Sequence, residues 1–295
     1  MIVVYAQGGG LGHLTRVRAA LHTLGRTGPV TILTSSRFAS DPRVVGDAAA
    51  CAVPHELARD VDALRAFVRT RLHELRPTEL IVDAFPDGLV GELDRSVMPA
   101  GTPVVHLARR LRWRAYLAAV PTPADPLPFD ATHAVEPLDP AQRAALAARS
   151  AQLTALALED PPPTIAADPS IATALAGAWL VVHSGSLDET TELVRYARDQ
   201  AAAEGVDPAV VVLCLSDRNE VRPARIEDAP VIDVYPAWPH FAGAGRIFTA
   251  GGFNAMRQAA PFRERHRVLP FPRRFDDQFE RARRAGVTSD RGTIA

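Results

Sequence analysis

Lysine is missing from the chain of 295 residues, so all 33 of its basic residues are arginine. That removes Schiff-base chemistry on lysine, and with it a pyridoxal phosphate enzyme. The P-loop lysine and the strand lysine of kinases are removed as well. Cysteine is nearly missing too: Cys51 and Cys214 alone support neither a disulfide framework nor a zinc site. Neither sign of charge is in excess, since the formal net charge is −1, and nothing pulls the chain toward nucleic acid. No apolar run approaches the ~18 residues of a transmembrane helix. Met1 leads into Ile2-Val3-Val4-Tyr5-Ala6 without the basic start or the long apolar core of a signal peptide. The expectation is a cytoplasmic protein with no nucleic-acid partner and no integral membrane contact.

What remains is an ordinary globular composition, 47% hydrophobic and 23% charged, which excludes a disordered or fibrous chain. Short Val- and Ile-rich runs bounded by Gly, Pro or Asp predict buried strands at 2–6, 30–34, 80–83, 103–107 and 132–135. Amphipathic stretches at 14–24 and 61–75 lie between them. In the second stretch Leu64, Phe67, Val68, Leu72 and Leu75 recur at helical spacing. A second series predicts strands at 178–183, 209–215, 231–235, 246–249 and 268–271, with helices at 189–204 and 254–260. Strand and helix in alternation mean parallel sheets covered on both faces. Asp160-Pro161-Pro162-Pro163 cannot lie in a helix interior or a central strand, and this places a domain boundary near residue 168. The fold class is therefore α/β, two Rossmann-like doubly wound domains over 1–168 and 169–295 that face a cleft. The sequence itself contains no internal repeat.

Three loops carry the candidate chemistry. The first, Gln7-Gly8-Gly9-Gly10-Leu11-Gly12-His13-Leu14-Thr15-Arg16, ends the first strand and opens a helix. Its glycines let backbone N–H groups approach a ligand, and the helix N-terminus favours an anion. A dinucleotide fingerprint fails there, because His13 stands where a third glycine is needed and the second strand ends Thr34-Ser35-Ser36-Arg37 without the ribose-binding acid. Arg37 keeps a 2′-phosphate, and so NADP, as a remaining alternative. His13 can accept a proton from a hydroxyl near neutral pH. The second loop, Thr249-Ala250-Gly251-Gly252-Phe253-Asn254, repeats the design, with Asn254 as the expected N-cap. Downstream, Phe275-Asp276-Asp277-Gln278 offers a carboxylate and an amide suited to sugar hydroxyls, or else an N-cap and first turn. The third loop, His183-Ser184-Gly185-Ser186, puts small hydroxyl residues at a helix start, where they fit a phosphate.

These segments, with Ile81-Val82-Asp83-Ala84-Phe85-Pro86-Asp87-Gly88, occur in the order seen in the two-domain GT-B glycosyltransferases. The chain resembles that family, and within it the MurG-like group. The resemblance implies a nucleoside diphosphate sugar held by the second domain and an unknown small-molecule or glycan acceptor at the first. His13 is then the base that deprotonates the acceptor, and Asp83 the residue that orients it, or else the cap of the following turn. Gly9, Gly10, Gly12 and Thr15 contact substrate from the first loop. Ser184, Gly185, Ser186, Gly251, Gly252, Phe253 and Asn254 cradle the diphosphate. Gln258 takes the place of the family's ribose-binding acid. Asp277 and Gln278 match the pair at the donor sugar. The expected reaction is an inverting transfer without metal or other cofactor. The alternatives are a PseG-type nucleotide-sugar hydrolase, with water as acceptor, and a non-catalytic nucleotide-sugar-binding protein. The resemblance also implies a helix returning to the first domain, where this sequence instead continues past Gly286 as the polar stretch Asp290-Arg291-Gly292. Two further expectations concern side chains outside the loops. The cluster Arg109-Arg110-Leu111-Arg112-Trp113-Arg114 reads as a solvated helix face, or as a grip for an anionic acceptor or a membrane surface. Trp238 reads as a packing residue or a nucleobase platform.

Overall fold

The computed structural model describes residues 1–163, 169–216 and 223–286. They form two compact units. The first runs from Met1 to Pro162 and includes the short segment Arg274–Asp276; the second runs from Pro163 to Arg273 and resumes at Asp277. The boundary expected near residue 168 and the polar stretch at 290–292 lie outside the described residues.

The first unit contains a seven-stranded sheet: β1 Ile2–Tyr5, β2 Val30–Thr34, β3 Ala49–Ala52, β4 Glu79–Asp83, β5 Val104–Ala108, β6 Ala131–Ala134 and β7 Leu153–Ala155. The spatial order is 3-2-1-4-5-6-7, and every pairing is parallel. Every residue of β1 and β5 is buried, as strands covered on both faces require. The helices are α1 Leu11–Thr23, α2 Pro42–Val45, α3 Val61–Leu75, α4 Trp113–Ala119 and α5 Pro140–Ala147. α3 buries Leu64, Val68 and Leu72, one stripe at four-residue spacing, and Asp60 caps it by accepting from the N–H groups of Asp62 and Ala63. Those leucines close one core with Val3, Tyr5, Leu80 and Val82 of the sheet.

The second unit contains β8 Trp179–Val182, β9 Val210–Cys214, β10 Arg225–Ile226, β11 Ala229–Asp233, β12 Arg246–Thr249 and β13 His266–Val268. Its order is 10-11-9-8-12-13, with only the two-residue edge strand β10 antiparallel among the described pairings. The helices are α6 Pro169–Ala174, α7 Leu187–Glu204, α8 Phe253–Ala259 and α9 Gln278–Ala285. Among the described residues no helix is long and apolar enough to cross a membrane.

The two topologies correspond. In the first unit β1 lies between β2 and β4, and in the second β8 lies between β9 and β12. In each the strand order reverses at that place, and the carboxyl ends of the two adjoining strands flank the crevice where open α/β sheets bind ligands. All three candidate loops leave those ends: the first follows β1, the third follows β8 and the second follows β12. Ile81–Asp83 ends β4.

Candidate functional site

At the reversal in the first unit, His13 and Asp83 meet. His13 Nδ1 lies 2.7 Å from Asp83 Oδ2. Arg16, one helical turn beyond His13 on α1, grips the same carboxylate at both oxygens: Nε to Oδ1 at 2.6 Å and Nη2 to Oδ2 at 2.6 Å. Asp83 is fully buried, and the His13 side chain keeps 14% of its surface exposed. Nε2 of His13 has no hydrogen-bond partner among the described residues.

Two backbone features set this geometry. Gly8 has φ +142°, and a Cβ there would lie 2.5 Å from His13 Nε2. The glycine thus leaves the space that the imidazole fills. Beyond Asp83 the chain turns sharply: Phe85 N–H donates to the Asp83 carbonyl at 2.8 Å, and Ala84 takes φ +66°. That turn brings the Phe85 ring to 5.6 Å from the His13 ring.

Burial lowers the His13 pKa, with Arg16 and Arg109 adding to the effect and Asp83 opposing it. Burial also pushes Asp83 up, but the Arg16 guanidinium and His13 outweigh it and hold the carboxyl well below the usual range. The pair therefore consists of a neutral imidazole and an ionised carboxylate. With Nδ1–H donating to Asp83, Nε2 carries the lone pair. Arg16 belongs to the first motif, and its position three residues after His13, on the same helix face, is the sequence signal for its place beside the pair.

Around this pair the first loop is pinned by β2's end. Gly8 N–H donates to Ser35 Oγ at 3.4 Å, and Ser36 Oγ donates to the Gly10 carbonyl at 3.2 Å. Gly9 and Gly10 have open space where a Cβ would stand. Gly10 is the N-cap of α1, which has no side-chain cap and no acid in its first turn. Gly12 is exposed within that turn. Thr15 is buried, its Oγ1 donating to the Leu11 carbonyl at 3.2 Å.

The arginine cluster departs from the solvated helix face expected for it. Arg109 and Arg110 are 6% and 8% exposed, because β5 runs into them before α4 begins; only Arg112 and Arg114 face solvent. Arg109 pairs with Asp276 and lies over the Phe85 ring, 5.6 Å from its centroid. Phe275 meets Phe85 edge-on at 5.8 Å. Phe275 and Asp276 thus belong to the first unit, while Asp277 and Gln278 belong to the second.

In the second unit the loops after β8 and β12 adjoin through the register Val182–Thr249. Gly252, not Asn254, is the N-cap of α8, so the helix begins two residues earlier than its sequence signal suggests. Asn254 and Phe253 are already inside its first turn. Gly252 has ordinary extended geometry (φ −67°, ψ 143°) and open space where a Cβ would stand. Gly251 is different: a Cβ there would meet the Gln278 carbonyl oxygen at 2.8 Å, so this glycine lets α9 pack on the turn. Gln258 is half-buried on α8. Gln278 is 4% exposed, and its Oε1 accepts from Phe271 N–H at 3.0 Å. Asp277 caps α9, accepting from Glu280 N–H through Oδ1 at 3.2 Å. Trp238 packs against the core beneath β8 and β12.

The loop after β8 is occupied by its own side chains. Ser184 Oγ accepts from Leu215 N–H at 2.9 Å, and Ser186 Oγ caps α7. Glu189, in the first turn of α7, accepts from His183 Nε2 at 2.9 Å and from both terminal nitrogens of Arg273, at 2.5 and 2.6 Å. A Cβ on Gly185 would lie 2.2 Å from His183 Nε2.

No protein-family model and no curated protein matches the sequence. Solved structures do match along almost the whole chain. The spinosyn forosaminyltransferase SpnP is similar with a TM-score of 0.58 and 15% identity, over 100% of this chain and 86% of its own. The glycosyltransferase SnogD from Streptomyces nogalater matches with a TM-score of 0.56 and 14% identity, over 98% and 85%. A putative UDP-N-acetylglucosamine 2-epimerase from Listeria monocytogenes matches with a TM-score of 0.53 and 12% identity, over 97% and 82%. With its two parallel sheets, the chain has the GT-B fold that the glycosyltransferases among these structures share.

Proposed function

We propose that the protein is a glycosyltransferase that moves a sugar from a nucleoside diphosphate to a hydroxyl of a small-molecule or glycan acceptor, with inversion. The observation that carries this reading is His13: Nδ1 is bonded to a buried carboxylate, and Nε2 has no partner among the described residues, at the topological switch point of the first unit. Nε2 takes the acceptor proton while the acceptor oxygen attacks the anomeric carbon. The C–O bond to the diphosphate breaks, and the nucleoside diphosphate leaves with its electron pair. Asp83 orients the ring and stabilises the imidazolium. Arg16 keeps Asp83 ionised, so the proton stays on His13.

The donor falls to the second unit in this reading. The open N-cap at Gly252 lets backbone N–H groups face the diphosphate and stabilise its developing charge. Gln258 takes a ribose hydroxyl. Asp277 has one carboxylate oxygen left for a sugar hydroxyl beyond its capping bond. The buried Gln278 supports Phe271 from behind rather than touching sugar.

The test measures nucleoside diphosphate release from a panel of nucleotide sugars, with and without hydroxylated acceptors. His13→Ala should lose turnover by about 10²–10⁴ while still binding nucleoside diphosphate. Full activity in His13→Ala would sink the assignment of the base. Release by the wild type that is as fast without acceptor as with it makes water the acceptor and the protein a hydrolase. Tight donor binding with no turnover at all makes it a binding protein.

A further inference from the structure

We propose that Arg273 and His183 are the side chains that bind the donor diphosphate, and that Glu189 occupies their site in its absence. This rests on the glycosyltransferase reading and adds residues to it. In the loop after β8, Ser184 Oγ accepts from Leu215 N–H and Ser186 Oγ from Glu189 N–H. The cationic fork of Arg273 and the imidazole of His183 also stand there, and both hold one carboxylate, that of Glu189. A planar guanidinium binding two oxygens, with an imidazole donating to one of them, matches a phosphate as well as it matches a carboxylate.

Three observations favour exchange over a fixed structural pair. The cluster stands at the carboxyl end of β8, beside β12, at the reversal in strand order where this fold class binds ligands. It is reachable by water: the side chains of Arg273 and Glu189 keep 33% and 20% of their surface exposed. The cations also share a support that does not depend on Glu189, since Phe271 lies 5.9 Å below the Arg273 guanidinium and 6.0 Å from the His183 ring. Glu189 reaches the cluster from the first turn of α7, so a rotamer change withdraws its carboxylate without moving the helix.

Competition between carboxylate and phosphate gives the test its sign. Inorganic pyrophosphate and uridine diphosphate are titrated by calorimetry into wild type, Glu189→Ala, Arg273→Gln and the double variant. Glu189→Ala should bind both probes about tenfold more tightly than wild type, and Arg273→Gln should bind them more weakly. The double variant should lose the gain. Equal or weaker pyrophosphate binding in Glu189→Ala overturns the proposal, as does a double variant that keeps the gain. His183→Asn should lower pyrophosphate affinity in the Glu189→Ala background, and no change there removes His183 from the site. If pyrophosphate behaves as expected while no nucleoside diphosphate binds any variant, the anion site stands and the glycosyltransferase reading falls. If uridine diphosphate binds wild type and Glu189→Ala alike, the reading stands and this assignment falls.

Discussion

At the scale of single residues, the proposed chemistry depends on how one carboxylate is shared. Asp83 receives three charge-assisted contacts, two from Arg16 and one from His13. Arg16 thereby limits how much Asp83 raises the basicity of His13, and burial lowers it further. The base form of His13 should then persist below the ordinary histidine value of about 6.5. The acid limb of kcat/KM should accordingly fall below pH 6.5. Arg16→Gln removes the competing cation and should raise the His13 pKa, moving that limb to higher pH. An NMR titration of the His13 ring reads the shift directly, and an unchanged or lowered value would contradict the account. Gly8→Ala is the steric counterpart. Its Cβ would stand 2.5 Å from Nε2, and its φ of +142° disfavours any side chain. Turnover should drop by at least ~10², with nucleoside diphosphate binding in the second unit retained. Wild-type turnover in a folded Gly8→Ala protein would show that the ring position is not set by that contact.

At the scale of elements, the two glycines after β12 differ in what they do. Gly251 makes room for the Gln278 carbonyl, whereas nothing in the fold requires Gly252 to lack a side chain. Gly252→Val should therefore leave stability within about 1 kcal/mol of wild type and abolish donor binding, because the branched Cβ covers the N–H groups of α8. Undiminished affinity for uridine diphosphate in that variant would reduce the loop to a turn. The same elements show what the sequence made legible. Strands such as β1, β2 and β12 were readable because they are short β-branched runs ending at Gly, Ser or Asp. β3 was not, since Ala-Ala-Cys-Ala at an edge is mostly exposed and carries no apolar pattern. β10 has two residues and β7 has three, too short to show a period. The last strand, β13, is His266–Val268 rather than 268–271, because the apolar signal of 268–271 belongs partly to the segment after it. His13 and Asp83 could be read from their places at strand ends, but their bond joins residues 70 apart and needs β1 beside β4. The Glu189–Arg273 pair spans 84 residues and left no trace in spacing.

At the scale of the whole molecule, each unit buries histidines that stay neutral, His106 and His266 being the ones pushed down furthest, and this ties stability to pH. His106 on β5 is fully buried, stacks on Phe129 at 4.7 Å, and is pushed down by burial to about 3. His266 on β13, bonded to Thr249 Oγ1 at 2.8 Å, is pushed down by burial to about 4. A histidine whose folded pKa is lowered gains its proton first in the unfolded chain. Stability is then complete above the unfolded value of about 6.5 and falls as the pH drops toward the folded values, by roughly 1.4 kcal/mol per pH unit for each histidine. Glu189, held at about 2 first by His183 and then by Arg273, acts in a lower window: its contribution is intact above about 4.3 and is lost only below that. Between pH 6.5 and 4.5 these two histidines should therefore dominate, joined by His13, His133 and His240, whose pKa burial also lowers. Calorimetric unfolding at pH 7, 6 and 5 should show Tm falling throughout this range. His106→Leu and His266→Leu should each flatten the fall of Tm, even where each substitution lowers Tm at pH 7 by removing a hydrogen bond to Ala84 or Thr249. The pH slope, rather than the absolute Tm, is the decisive quantity, because a lost contact shifts all three temperatures together while a lost titration changes only their spacing. Slopes equal to wild type in both variants would mean that protonation of these two side chains does not govern acid stability.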